Sequence, residues 1–194
     1  MDMRSLLAEM RNCNACKLRR GCKQVVVPDG CLENPLLAIC AEAPGQTEDE
    51  EGVPLIGAAG EVLRDVLRST KVLNRTNTLL MNVVNCRPPK NKFPTDESAS
   101  ICVSKWLWQI LEAAQPQRLL LLGGVALKYV ANMEGITSSR GNWYRIKGIR
   151  TMATFHPSFI LRTDRDGFIQ NRRIFESDIN QVADEIRQII AERK

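Results

Sequence analysis

Four short apolar runs, at residues 36–40, 79–84, 118–122 and 151–155, constrain this chain more than any other feature. Each is apolar or β-branched and bounded by Pro, Gly, Asn or a polar turn, the pattern of a strand buried on both faces. Between them the period changes to that of amphipathic helices. Residues 58–69 set Val62, Leu63, Val66 and Leu67 on one face. A second helix is predicted from Thr95, as N-cap with Asp96 and Glu97 in the positive first turn, towards residue 114; it aligns Val103, Leu107, Ile110 and Leu111. A third, from about 174 to 191, aligns Ile179, Val182, Ile186 and Ile189. Strands alternating with helices build a sheet covered on both faces. The expected fold is α/β: a three-layer α/β/α domain with a central, mostly parallel four-stranded sheet. No internal repeat or low-complexity tract interrupts it, so residues 1–194 are expected to form a single domain.

A chain of 194 residues, 44% hydrophobic and 25% charged, buries a full core without disulfides. No apolar run approaches the roughly 20 residues of a membrane helix. The opening residues, Met1-Asp2-Met3-Arg4-Ser5, start a polar-apolar helix and lack a signal-peptide profile. A cytoplasmic monomer with no membrane partner is expected. The net charge of +5 is unevenly spread: residues 140–173 carry eight Lys or Arg against two Asp, whereas residues 42–51 carry five carboxylates and no base. A basic face suits a polyanion such as nucleic acid, although a solvated surface would read the same way. Seven cysteines, an odd number, argue for metal ligation over a purely disulfide framework.

Three loops share the carboxyl edge of the predicted sheet, where ligands of open α/β sheets bind. Ala41-Glu42-Ala43-Pro44-Gly45-Gln46 follows the first strand, Asn85-Cys86-Arg87-Pro88-Pro89-Lys90-Asn91 the second, and His156-Pro157-Ser158 the fourth. His156 is the only histidine. Alone it reads equally well as a hydrogen-bonded structural residue; beside two other polar, proline-stiffened loops it reads as part of a site.

The ordered motifs Cys13-x-x-Cys16-x-Leu18, Glu42-Ala43-Pro44-Gly45 with Glu48-Asp49, Gly52-x-Pro54-x-x-Gly57-x-Ala59-Gly60, Asn82-x-x-x-Cys86-Arg87-Pro88-Pro89 and His156-Pro157-Ser158 resemble the uracil-DNA glycosylase superfamily. More specifically they resemble its iron–sulfur branch, family four. Gly135-Ile136-Thr137 and Arg140-Gly141-x-Trp143-Tyr144 extend the likeness over nearly the whole chain. The resemblance implies a base-excision repair glycosylase whose partner is uracil-containing DNA, single- or double-stranded. It also implies a 4Fe–4S cluster on Cys13, Cys16, Cys86 and Cys102. Four thiolates, two of them from one Cys-x-x-Cys turn, suit such a cluster and also suit zinc. Spacing leaves Cys22 and Cys31 open as ligands, and Cys40, ending a strand, reads as core.

Carried onto the site, the resemblance makes Asn82 the reader of the base, whose amide matches uracil N3–H and O4. Ala43, Gly45, Gln46 and Leu55 line the base pocket. His156 donates to uracil O2 as charge develops on the departing base. Glu42, Glu48 and Asn91, in that order, are candidates to orient the attacking water. Phe159, Ile160 and Leu161 form an apolar wedge that fills the vacated stack, with Ser158 and Arg162 at the DNA backbone. No lysine stands in these motifs to form a Schiff base, so a monofunctional enzyme is expected. Two positions depart from the family pattern, Leu55 replacing a stacking Phe and Ala41 a Gly; at Ala43 the familiar uracil-specific enzymes of the wider superfamily place an Asp. Two alternatives stay open. One is a glycosylase of other deaminated bases such as hypoxanthine or xanthine; the other is a non-catalytic, cluster-bearing DNA-binding protein.

Overall fold

A computed structural model describes residues 2–93 and 96–193 of the chain. Its strands are β1 (Asp29–Gly30), β2 (Leu37–Ala41), β3 (Thr78–Asn82), β4 (Leu119–Leu122), β5 (Trp143–Ile146) and β6 (Ile149–Thr154). They form one six-stranded sheet in the order β1-β3-β2-β4-β6-β5. The inner four, β3-β2-β4-β6, are parallel and coincide with the four apolar runs. The expected four-stranded sheet is thus corrected to six strands, with β1 and β5 added antiparallel at the two edges. Neither edge strand has an apolar run: β1 is two residues long, and β5 is half-exposed and joined to β6 by the Lys147-Gly148 turn.

Side chains alternate across the sheet as the pleat requires. Ala38, Cys40, Leu79, Met81, Leu119 and Leu121 face one core with α1 (Met3–Arg11) and the helical stretch after β3. Leu37, Ile39, Ala41, Leu80, Leu120 and Leu122 face the other, with α3 (Ala58–Ser69). α2 (Gln46–Glu51) precedes α3. The helix expected over 95–114 is three segments: α4 (Asp96–Cys102), a π-helical turn (Val103–Leu107) and α5 (Trp108–Ala114). Its predicted cap, Thr95, lies outside the described residues. α6 (Gly123–Ala131), α7 (Ile136–Ser139) and α8 (Pro157–Leu161) follow β4, α6 and β6 respectively.

The last helix, α9 (Arg165–Glu192), starts nine residues before its predicted beginning. Asp164 caps it by accepting the Gly167 N–H at 2.8 Å, which starts the helix ahead of the periodic apolar face, in a stretch whose only large apolar side chains are Phe168 and Ile169. Asp178 fixes α9 against the sheet. Thr154, the last residue of β6, donates its hydroxyl to Asp178 Oδ2 at 2.6 Å, and Arg140 pairs with the same fully buried carboxylate.

Parallel strands bring their carboxyl ends to one edge, where Ala41 registers with Asn82 and Leu122 with Thr154. The chain adds β3 on one side of β2 and β4 on the other, and this reversal opens a crevice at the strand ends.

Candidate active site

A cavity of about 300 Å³ occupies that crevice. Glu42, Ala43, Gly45, Gln46, Leu55, Asn82, Asn91, His156, Ser158 and Arg162 all line it, so residues from every predicted loop converge there. A wider depression of about 560 Å³ adjoins it and shares Glu42, His156, Ser158 and Arg162.

His156 is the N-cap of α8. The Ser158 backbone N–H donates to His156 Nδ1 at 3.1 Å, and Ser158 Oγ lies 2.8 Å from the same nitrogen. A nitrogen that accepts an N–H carries no proton, so the neutral ring bears its hydrogen on Nε2. Burial, with the Arg162 guanidinium nearby, pulls the His156 pKa down to about 4. The imidazole is therefore neutral at physiological pH and presents one N–H donor. Gly123 makes room for it: at φ +87° a Cβ there would stand 2.9 Å from His156 Cβ.

Asn82 ends β3 and is 3% exposed, and its Nδ2 has no hydrogen-bond partner. An orphaned buried amide costs about 1–3 kcal/mol, a penalty that a ligand in the cavity would relieve. Glu42 follows β2, where burial raises its carboxyl pKa above the ordinary value and Arg162 opposes the shift. Asn91 sits at the rim, exposed, its Oδ1 accepting from Arg87 Nε at 2.7 Å.

Glu48, second among the water-orienting candidates, has another use. Its Oε1 accepts the N–H groups of Ile56 (3.0 Å) and Gly57 (2.7 Å), and its Oε2 accepts that of Gly45 (3.0 Å). With both oxygens committed, this buried carboxylate braces the loop after β2 against the turn before α3. The motif singled Glu48 out, but its bracing role depends on the three N–H groups that the fold brings to it. Asp49 works beside it, accepting the Lys23 N–H at 2.9 Å and tying in the N-terminal segment.

Leu55 is 8% exposed with φ +55°, its carbonyl pressed against Gly60, where a Cβ would come within 2.0 Å of that oxygen. Its side chain lines the site and also a separate apolar cavity of about 340 Å³ between α3 and β3. Along the predicted wedge, Phe159 and Leu161 are exposed (41% and 42%), but Ile160 is fully buried in the core, so Ile160 anchors α8 in place of presenting a surface.

Away from this site, Cys13, Cys16, Cys86 and Cys102 line one small cavity with Asn85 and Trp106. Cys13 and Cys16 follow α1, Cys86 stands in the loop after β3, and Cys102 ends α4. Burial, with neighbouring thiols including Cys22, pushes the Cys86 thiol up; burial chiefly, with Cys16 and Cys13, brings Cys102 to about 11. Hydrogen-bond donors already point at the sulfurs: Trp106 Nε1–H reaches Cys13 Sγ at 3.3 Å, and Asn85 serves Cys102. Among the described residues no three such side chains are drawn together around a single-ion site. The donor set, four thiols around one small cavity with N–H donors at two of them, fits a cluster that needs thiolates. Cys40 is fully buried in the core, and Cys31 donates to the Glu33 carbonyl at 3.3 Å.

A mixed α/β domain with a polar cavity at the carboxyl edge of its parallel strands is the class that fold and site define. The profile described as Uracil DNA glycosylase superfamily matches residues 27–182, and the chain belongs to that superfamily. It is 35% identical over 184 residues to the Type-4 uracil-DNA glycosylase of Thermotoga maritima, covering 92% of each chain. The Type-4 uracil-DNA glycosylase of Pyrobaculum aerophilum is 33% identical over 171 residues, 84% of this chain and 86% of the relative. That of Archaeoglobus fulgidus is 32% identical over 188 residues, 92% and 90%.

Proposed function

We propose that this protein is a monofunctional uracil-DNA glycosylase that takes a uracil nucleotide out of the DNA stack and hydrolyses its N-glycosidic bond. The observation that carries this reading is the pairing of an orphaned buried amide, Asn82, with a neutral, tautomer-locked imidazole, His156, in one cavity. Asn82 Nδ2–H donates to uracil O4 and its Oδ1 accepts N3–H; cytosine, with donor and acceptor exchanged, leaves both unpaired. His156 Nε2–H faces O2, where charge accumulates as the bond breaks, and a neutral donor stabilises that charge without first losing a proton. Glu42 holds the attacking water. An oxocarbenium-like sugar needs little nucleophilic push, so positioning serves where Ala43 offers no carboxylate. Among the described residues no lysine lines the cavity, which supports hydrolysis without strand cleavage.

Phe159 and Leu161 fill the gap left by the base, an exchange that repays part of the few kcal/mol spent on unstacking. Cys13, Cys16, Cys86 and Cys102 hold a 4Fe–4S cluster, which when bound cross-links the N-terminal helix to the loop after β3. The same loop follows directly from Asn82, so these cysteines brace the base reader.

One observation favours a second reading. Leu55 lines both the base cavity and the 340 Å³ apolar cavity, so a larger base has somewhere to displace it. Oligonucleotides carrying single uracil, hypoxanthine or xanthine, incubated with the protein and then cleaved with alkali at abasic sites, test both. Product from uracil alone is expected; product from the purines supports the wider pocket. Binding without product from any would mean a non-catalytic DNA-binding protein.

A further inference from the structure

The large apolar side chains exposed among the described residues are Phe159, Leu161 and Ile169. The wedge accounts for the first two. Ile169, 43% exposed, lies on α9 and is left over. Its position follows from how α9 is seated. Asp178 is level with Thr154, the last residue of β6, and the chain reaches α9 from the site edge through α8. The first fully buried residue of α9 is Phe175. At 1.5 Å per residue, the stretch from Arg165 to Phe175 is about 15 Å long; Phe168 packs one side of it against the core, and its other side is exposed.

On this stretch Arg165, Ile169 and Arg173 recur at four-residue spacing, which aligns them on its exposed face. Within the basic stretch Arg140 pairs with Asp178, Arg150 with Glu185 and Arg172 with Glu176, while Arg145 and Lys147 belong to the β5–β6 hairpin. Among the described residues neither Arg165 nor Arg173 joins any ion pair. Asp166 stands beside the strip, at the helix N-terminus where the dipole favours it.

We propose that Arg165, Ile169 and Arg173 contact the DNA strand opposite the uracil, so that duplex substrate is held by a surface that single-stranded DNA does not use. This rests on the glycosylase reading. The wedge enters the stack at residues 159–161, and α9 begins only four residues later. Ser158 and Arg162 already serve the backbone of the strand the wedge enters, so the two unpaired guanidiniums beside them are left for phosphates of the other strand. The two guanidiniums meet phosphates, and Ile169 between them packs on sugar and base edges.

The test compares the wild type with an Arg165→Ala/Arg173→Ala double variant and with Ile169→Ser. Affinity is measured by anisotropy on a duplex with a stable abasic analogue opposite guanine, and on the analogue strand alone. Uracil excision is followed on both forms. At about 0.15 M salt the double variant is expected to bind duplex roughly tenfold more weakly, with the slope of log K against log salt reduced by about 1.8. Single-strand binding and excision stay unchanged, and Ile169→Ser weakens duplex binding with the salt slope intact. Equal losses on both forms would assign the strip to the uracil strand and overturn the proposal, as would unchanged duplex affinity. A wild-type dimer in sedimentation velocity that Ile169→Ser dissociates would also overturn it. If the wild type excises no base, the glycosylase reading fails, while the binding comparison still decides the strip.

Discussion

The backbone N–H of Ser158 points at Nδ1 of His156, and this decides where the imidazole proton resides. A donor of this kind is worth roughly 3–4 kcal/mol to the transition state, so His156→Ala should slow single-turnover uracil excision by two to three orders of magnitude. The pH profile separates His156 from Glu42. Glu42 must be ionised and its pKa is raised, so activity should fall with acid at a pH above the ordinary carboxyl value of 4.5. His156 protonates only near 4, so its own limb lies lower. Glu42→Gln should lower the rate at neutral pH and abolish the upper limb. Stability follows the same sign. An exposed imidazole takes its proton near 6.5 and the folded one near 4, so the site's contribution is complete above about pH 6.5 and is lost as pH falls towards 4. At Leu55, substitution by Phe should restore a flat stacking surface and lower KM for uracil DNA about fivefold, a gain of about 1 kcal/mol.

Between elements, the Glu48 carboxylate does what a longer run of backbone hydrogen bonds would do elsewhere, joining α2 to the turn that carries Leu55. Glu48→Ala leaves three N–H groups without their acceptor and should destabilise the fold by about 2–3 kcal/mol in denaturant titrations. Cys86→Ala should lose iron and its brown absorption band; full retention would remove Cys86 from the ligand set. The parallel strands and α3 were legible in the sequence, because burial on both faces or on one stripe leaves a periodic apolar record. The residues at the strand ends were legible too, since Asn82, Glu42 and His156 are polar where the pattern calls for apolar. What escaped had no such record. β1 is too short for periodicity, the first turns of α9 pack only Phe168 against the core, and the bracing role of Glu48 depends on N–H groups that only the fold brings to it. The positive φ of Leu55 follows from contacts with Gly60, distant in kind from anything Leu itself prefers.

For the molecule as a whole, the modest net charge of +5 conceals a division of labour. Two of the eight bases in residues 140–173, Arg140 and Arg150, tie α9 to the sheet side through Asp178 and Glu185, and among the described residues Arg162, Arg165 and Arg173 join no ion pair. DNA affinity should therefore fall steeply with salt although the overall charge is small. The two edge strands carry a separate consequence. An open parallel sheet offers rows of unpaired N–H and C=O groups that a second molecule can extend. Here one flank is closed by the two residues of β1, whose Asp29 is clasped by Arg75, and the other by a short hairpin bearing Arg145 and Lys147. Neither flank is long or bare enough to seed strand-to-strand polymerisation, so many copies can crowd along one DNA molecule without gelling into a fibre.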